Sequence, residues 1–102
     1  PYRAMIRAFS RAFAESPPAL YASGHDHNLQ VIRDGPARLL LVSGAGIYGH
    51  RSEVSRIQGT LFARDASGYA RVDIPRSGTA RLAIIQVDAS GQGREVFSTP
   101  VE

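Results

Sequence analysis

The chain of 102 residues contains no cysteine and no lysine. Without cysteine there can be no disulfide, no thiolate metal ligand and no cysteine nucleophile. Secreted proteins can also lack the residue, so the compartment stays open. All twelve basic residues are arginine, a bias that fits GC-rich coding better than a binding adaptation. No run approaches the roughly 18 apolar residues of a membrane span, and no signal-peptide pattern opens the sequence. The chain starts at Pro1 and not at methionine. It is therefore expected to be a piece of a longer protein, with some apolar surface made for a missing partner. The net charge of +3 could favour anionic ligands. The arginines, however, are interleaved with acids and form no dense patch, so nucleic-acid binding is not expected.

A length of this order makes one domain over residues 1–102, large enough for a core but small enough to leave sheet faces poorly covered. Tyr2, Ile6, Phe9 and Phe13 recur at i, i+4, i+7 and i+11 with Met5 alongside, while Arg3, Arg7 and Arg11 line another, solvated face. That spacing predicts an amphipathic helix over 1–15. Ser16-Pro17-Pro18 ends it, since each proline pushes its predecessor out of the α region and Pro18 lacks an amide donor.

The text that follows is short strands and turns. Strands are predicted at 19–23, 28–33 and 37–42, with Asp34-Gly35-Pro36 as a break and Ser43-Gly44-Ala45-Gly46 as an exit. The apolar run from Ala37 to Val42 is expected to be buried on both faces. Residues 47–58 read as a loop. Further strands are expected near 59–64, 69–74, 80–88 and 94–99, and the tetrapeptide Asp-Ala-Ser-Gly stands at both 65–68 and 88–91. Asp favours the start of a tight turn and Gly supplies a left-handed residue, so both copies are expected to close hairpins, making 59–102 a region of hairpins. Arg81 to Val87 has little polar alternation and reads as a central strand.

Gly24-His25-Asp26-His27 is the one place where metal chemistry is written locally. Imidazole is the commonest protein metal ligand. On an extended backbone, alternate side chains leave one face, so His25 and His27 are expected to converge while Asp26 points away. Gly24 allows close approach. Metal centres need three or four protein ligands, so this is half a site. Asp26 and Asn28 flank the pair, Gly44 stands in the strand exit, and His50 lies in the following loop as a rim candidate. The glycines at 43–46 resemble part of a phosphate cradle, but no Gly-Lys-Ser/Thr follows and a tight strand exit is the simpler reading.

The string YASGHDHNLQVI at 21–32, followed by LLLVSGAG at 39–46 and then by strand, Gly-turn, strand text, resembles the C-terminal end of a calcineurin-like metallophosphoesterase. Within that superfamily it is most similar to the purple or tartrate-resistant acid phosphatase branch. The resemblance runs from about Ser16 to the C-terminus, and after Gly46 only the strand pattern carries it. It implies an α/β domain, α+β within this chain. One N-terminal helix would be followed by metal-motif strands over 19–46 and a mainly antiparallel sheet, part of a two-sheet sandwich flanked by helices. It further implies two divalent or mixed-valence ions (Fe, Zn or Mn) in the parent protein, with His25 on one, His27 on the other and Gly24 keeping the turn tight. Gly24, Asp26, Asn28, Gly44 and His50 would support the ligands or line the rim. The implied reaction is hydrolysis of a phosphate ester by metal-activated hydroxide.

The sequence departs from the family pattern in its ligand blocks. The DxH, GDxxD and GNH motifs, and the separate histidine that precedes GHxH, are absent. Gly49-His50 and Asp73 follow the motif and cannot replace them by order. The remaining ligands are thus expected in a missing N-terminal part of the same domain, and this chain alone is expected to be inactive with at most weak metal binding. Two other classes remain open. One is a non-catalytic β-rich binding or accessory module. The other is a mononuclear metal protein of the cupin kind, which wants a Glu shortly after HxH where residues 28–33 hold none.

Overall fold

Helix α1 spans Tyr2–Glu15, closed by a bond from the Ser16 amide to the Ala12 carbonyl at 3.0 Å before the two prolines forbid another turn. In the computed structural model, which describes residues 1–33, 35–47 and 51–101, seven strands follow it. They are β1 (Tyr21–Ser23), β2 (Leu29–Arg33), β3 (Leu39–Ser43), β4 (Thr60–Arg64), β5 (Gly68–Asp73), β6 (Arg81–Val87) and β7 (Gly93–Pro100). They form two sheets, ordered β1-β3-β2-β4 and β5-β6-β7. Only β1 and β3 run parallel; the other pairs are antiparallel. The expected α+β architecture is therefore the one the chain adopts.

The core lies between the sheets. Leu29 and Val31 of β2, Leu39 and Leu41 of β3 and Phe62 of β4 face Leu82 and Ile84 of β6. Phe62 and Phe97 meet across the gap with ring centres 5.2 Å apart. Strand β6 is central in its sheet and buried at four successive positions, Leu82 to Ile85. Strand β3 is less enclosed than expected. Leu39 and Leu41 are buried, whereas Leu40 and Val42 on the other face are only half-buried.

Leu40 explains where the helix sits. Together with Pro36 and Tyr21 it faces Ile6, Phe9 and Phe13, so α1 lies on the outer side of the first sheet. The Phe13 ring stands 6.0 Å from Phe9 and 5.4 Å from Tyr21. This aromatic cluster anchors only part of the stripe. No residue of α1 is buried, and Tyr2 and Met5 remain 71% and 47% exposed. Strand β1 is also exposed throughout and forms an edge of its sheet. No helix among the described residues is long and apolar enough to cross a membrane.

The two Asp-Ala-Ser-Gly copies differ, which corrects the expected hairpin of 59–64 with 69–74. Strand β4 pairs with β2 in the first sheet and β5 with β6 in the second, so residues 65–67 carry the chain between layers. Ala66 and Ser67 are buried there. The Gly68 amide donates to the Ala45 carbonyl at 3.0 Å, and the Val87 amide to the Ser67 carbonyl at 2.9 Å. Gly68 is required for closeness, since a β-carbon would collide with the Ile85 carbonyl oxygen. The second copy is a hairpin turn, with Gly91 at φ +85° and Asp88 Oδ1 accepting from the amides of Ser90 and Gln92. Identical local text thus yields a sheet-crossing corner and a turn, because burial at the first copy overrides turn chemistry. Residues 74–80 form the loop joining antiparallel β5 and β6.

Candidate functional site

The histidine motif occupies the five residues between β1 and β2. Two short main-chain bonds fold it. The Asp26 amide donates to the Gly24 carbonyl at 2.9 Å, and the Asn28 amide to the Asp26 carbonyl at 2.8 Å. Each bond spans two residues, so His25 and His27 are the centres of successive γ-turns. His25 has φ +75°, the sign of the rare, strained form, and it is the one non-glycine residue with positive φ among those described. Such a conformation costs roughly 1–3 kcal/mol and persists where its surroundings over-determine it.

The loop is consequently folded and not extended, and strict alternation of side chains does not apply to it. Asp26 does not point away from the pair. Its Oδ1 lies 3.4 Å from His25 Nδ1 at an exposed position. With the proton on Nδ1 directed at Asp26, the lone pair of Nε2 is left outward for ligation. The His25 side chain is 99% exposed, while His27 is half-buried.

Three neighbours hold the loop. Gly44, just past β3, abuts it so closely that a β-carbon would collide with the Asp26 carbonyl oxygen and come within 3.1 Å of the His25 nitrogen. Gly24, by contrast, has ordinary room, its β-carbon position lying 3.9 Å from the Ser43 oxygen. Asn28, 2% exposed, uses every polar group it has. Its amide bonds Asp26, its carbonyl accepts from the Gly44 amide at 3.3 Å, its Nδ2 donates to the Glu53 carbonyl at 3.3 Å, and its Oδ1 accepts from Gln30 Nε2 at 2.9 Å. Ser52 bonds the His27 main chain twice, its Oγ accepting from the His27 amide at 3.0 Å and its own amide donating to the His27 carbonyl at 2.9 Å.

The structure therefore brings His25, Asp26, His27, Asn28 and Gly44 together at one end of the first sheet. His50 lies outside the described residues. No group of three or more His, Cys, Asp or Glu side chains able to hold a metal ion occurs among the described residues. As a donor set, two imidazoles on one loop are fewer than the three or four protein ligands a metal centre takes, so further donors would have to come from elsewhere.

No protein-family model matches the chain, and no curated protein matches it. Among solved structures it is similar to GAP50, the anchor in the inner membrane complex of Plasmodium, with a TM-score of 0.65 and 22% identity. The chain shares the fold of part of GAP50. The match covers 81% of this chain and 25% of GAP50, so the chain spans about a quarter of the length of the structure it matches. At that identity the likeness to GAP50 concerns the arrangement of helix and sheets and no side-chain chemistry.

Sequence reasoning missed Ser52, Glu53 and Gln30. Gln30 was within reach, because a polar residue two places after Asn28 on a strand leaves the same face. Ser52 and Glu53 lie in irregular text 25 residues from their partners, and nothing local marks them.

Proposed function

We propose that the chain is the C-terminal segment of a dinuclear metal-dependent phosphoesterase domain, in which His25 and His27 each supply an imidazole to one ion. The observation that carries this reading is the loop at 24–28. It holds both histidines at the centres of consecutive γ-turns, one of them strained, at the end of a sheet whose fold resembles part of GAP50. Strain retained at a loop carrying two ligand-type side chains is the pattern of a functional constellation. Ions of this kind, when bound, clamp phosphate oxygens, offset their charge and acidify water. The chain's own part is narrower. Gly44, Asn28 and Ser52 fix the loop, Asp26 orients the His25 ring, and the imidazoles ligate without adding negative charge, which leaves Lewis acidity for the substrate.

The open apolar stripe of α1 and the exposed edge strand β1 support a larger domain around this segment, since soluble proteins seldom leave such features uncovered. The substrate would be a phosphate ester. Hydrolysis of p-nitrophenyl phosphate by the complete gene product carrying this segment tests the reading. Replacing His25 or His27 with Ala should lower turnover at least a hundredfold while the fold persists. Near-normal turnover and metal content in either variant would refute it.

A second reading, a non-catalytic binding module, is favoured by the lack of a third ligand near the pair among the described residues and by the likeness to GAP50, itself described as an anchor. Under it, the complete gene product would contain no stoichiometric metal.

A further inference from the structure

We infer that Ser52 is the positioning residue of His27, setting the direction of its imidazole toward a metal ion through the main chain and not by touching the ring. The inference rests on the reading of His27 as a ligand. Both polar main-chain groups of His27 are satisfied by one residue. The Ser52 hydroxyl takes the His27 amide at 3.0 Å and the Ser52 amide serves the His27 carbonyl at 2.9 Å.

The same residue is enclosed from within its own loop by the bond from the Asn28 amide to the Asp26 carbonyl at 2.8 Å. These bonds leave the His27 backbone little freedom in φ or ψ, and the Cα–Cβ direction follows from those two angles. The neighbouring Asn28 side chain is fixed to Glu53 at 3.3 Å, so residues 52 and 53 act as a short clamp laid along 27 and 28. The two histidines are held differently. His25 owes its conformation to its own γ-turn and to the close approach of Gly44. His27 depends on a hydroxyl that one substitution removes.

Ser52→Ala and Ser52→Val delete the acceptor of the His27 amide and leave the reverse bond, which comes from the Ser52 main chain, in place. Ser52→Thr keeps the hydroxyl on a side chain of the same shape as valine. Groups that orient metal ligands typically change metal affinity 10- to 100-fold when lost.

The test is titration of the metal-free complete gene product carrying this segment with Zn²⁺, following the ring resonances of His25 and His27, together with hydrogen exchange at the His27 amide. Ser52→Ala and Ser52→Val should bind Zn²⁺ about tenfold more weakly and exchange the His27 amide at least tenfold faster, while remaining folded. Ser52→Thr should restore both. Unchanged Zn²⁺ affinity in the Ala and Val variants, or a Thr variant as weak as Val, would overturn the inference. His27→Ala, run alongside, separates the two levels. If it binds two Zn²⁺ ions as tightly as the unaltered protein, the ligand reading fails and the role of Ser52 fails with it. If it loses binding while Ser52→Ala does not, only the role of Ser52 fails.

Discussion

Gly44 and the carbonyl of Asp26 are in such close contact that the space a β-carbon would need at Gly44 is already filled by the Asp26 oxygen. The strand exit and the histidine loop are thereby built as one unit, and the glycine at 44 serves this packing.

Gly44→Ala should displace the loop and destabilise the chain by about 1–3 kcal/mol, the usual cost of overpacking a filled site. Gly24→Ala should stay within about 0.5 kcal/mol, because its β-carbon would meet only ordinary contacts. Denaturant melts of the two variants check this. Equal losses would show that the loop needs glycine at 24 for conformation.

The repeated tetrapeptide gives a second comparison. Gly91 is needed for its φ of +85° and has nothing within 4 Å of its β-carbon position, whereas Gly68 is needed for space against Ile85. Asparagine tolerates the left-handed region. Gly91→Asn should therefore cost less than Gly91→Ala, itself about 1 kcal/mol, while Gly68→Asn should be at least as damaging as Gly68→Ala. Thermal melts of the four variants decide it, and equal rescue by Asn at both positions would contradict the structure.

The Asp88 turn predicts a pH dependence. Hydrogen bonds from the Ser90 side chain, then from the amides of Gln92 and Ser90, hold the Asp88 carboxyl below its ordinary value. A carboxyl depressed in the folded state contributes stability that is complete above the unfolded value of about 3.9 and is lost as pH falls through the lower folded value. Asp88→Asn should therefore flatten the stability profile below about pH 4. A wild-type slope in the variant would rule out this turn as its source.

Much of this organisation was legible in the sequence, and the reasons differ by element. The i, i+4, i+7, i+11 stripe and the two prolines define α1, and Gly35-Pro36 stands between β2 and β3, because these signals act locally. The partition of β4 and β5 into different sheets was not legible. Residues 65–68 and 88–91 are the same four letters, and what separates them is their surroundings in the fold, where Ala66 and Ser67 are buried. At the candidate site, the nearness of His25 and His27 follows from their spacing in the sequence. Their geometry was not, since a positive φ at a histidine and a clamp from Ser52 arise from contacts with Gly44 and with a loop 25 residues away.

The strain at His25 predicts a trade between stability and function. His25→Gly removes the side chain for which φ +75° is costly, so it should be more stable than His25→Ala by about 1 kcal/mol, and under the proposed function neither variant would ligate metal at this position. Chemical denaturation compares them. A glycine variant less stable than the alanine one would mean that the turn is unstrained.

The most direct measurement is anomalous diffraction from crystals of the complete gene product grown with its native metals. The account predicts two ions, one bound by the His25 imidazole and the other by that of His27. A single ion held by both rings, or no metal beside either histidine, would contradict it.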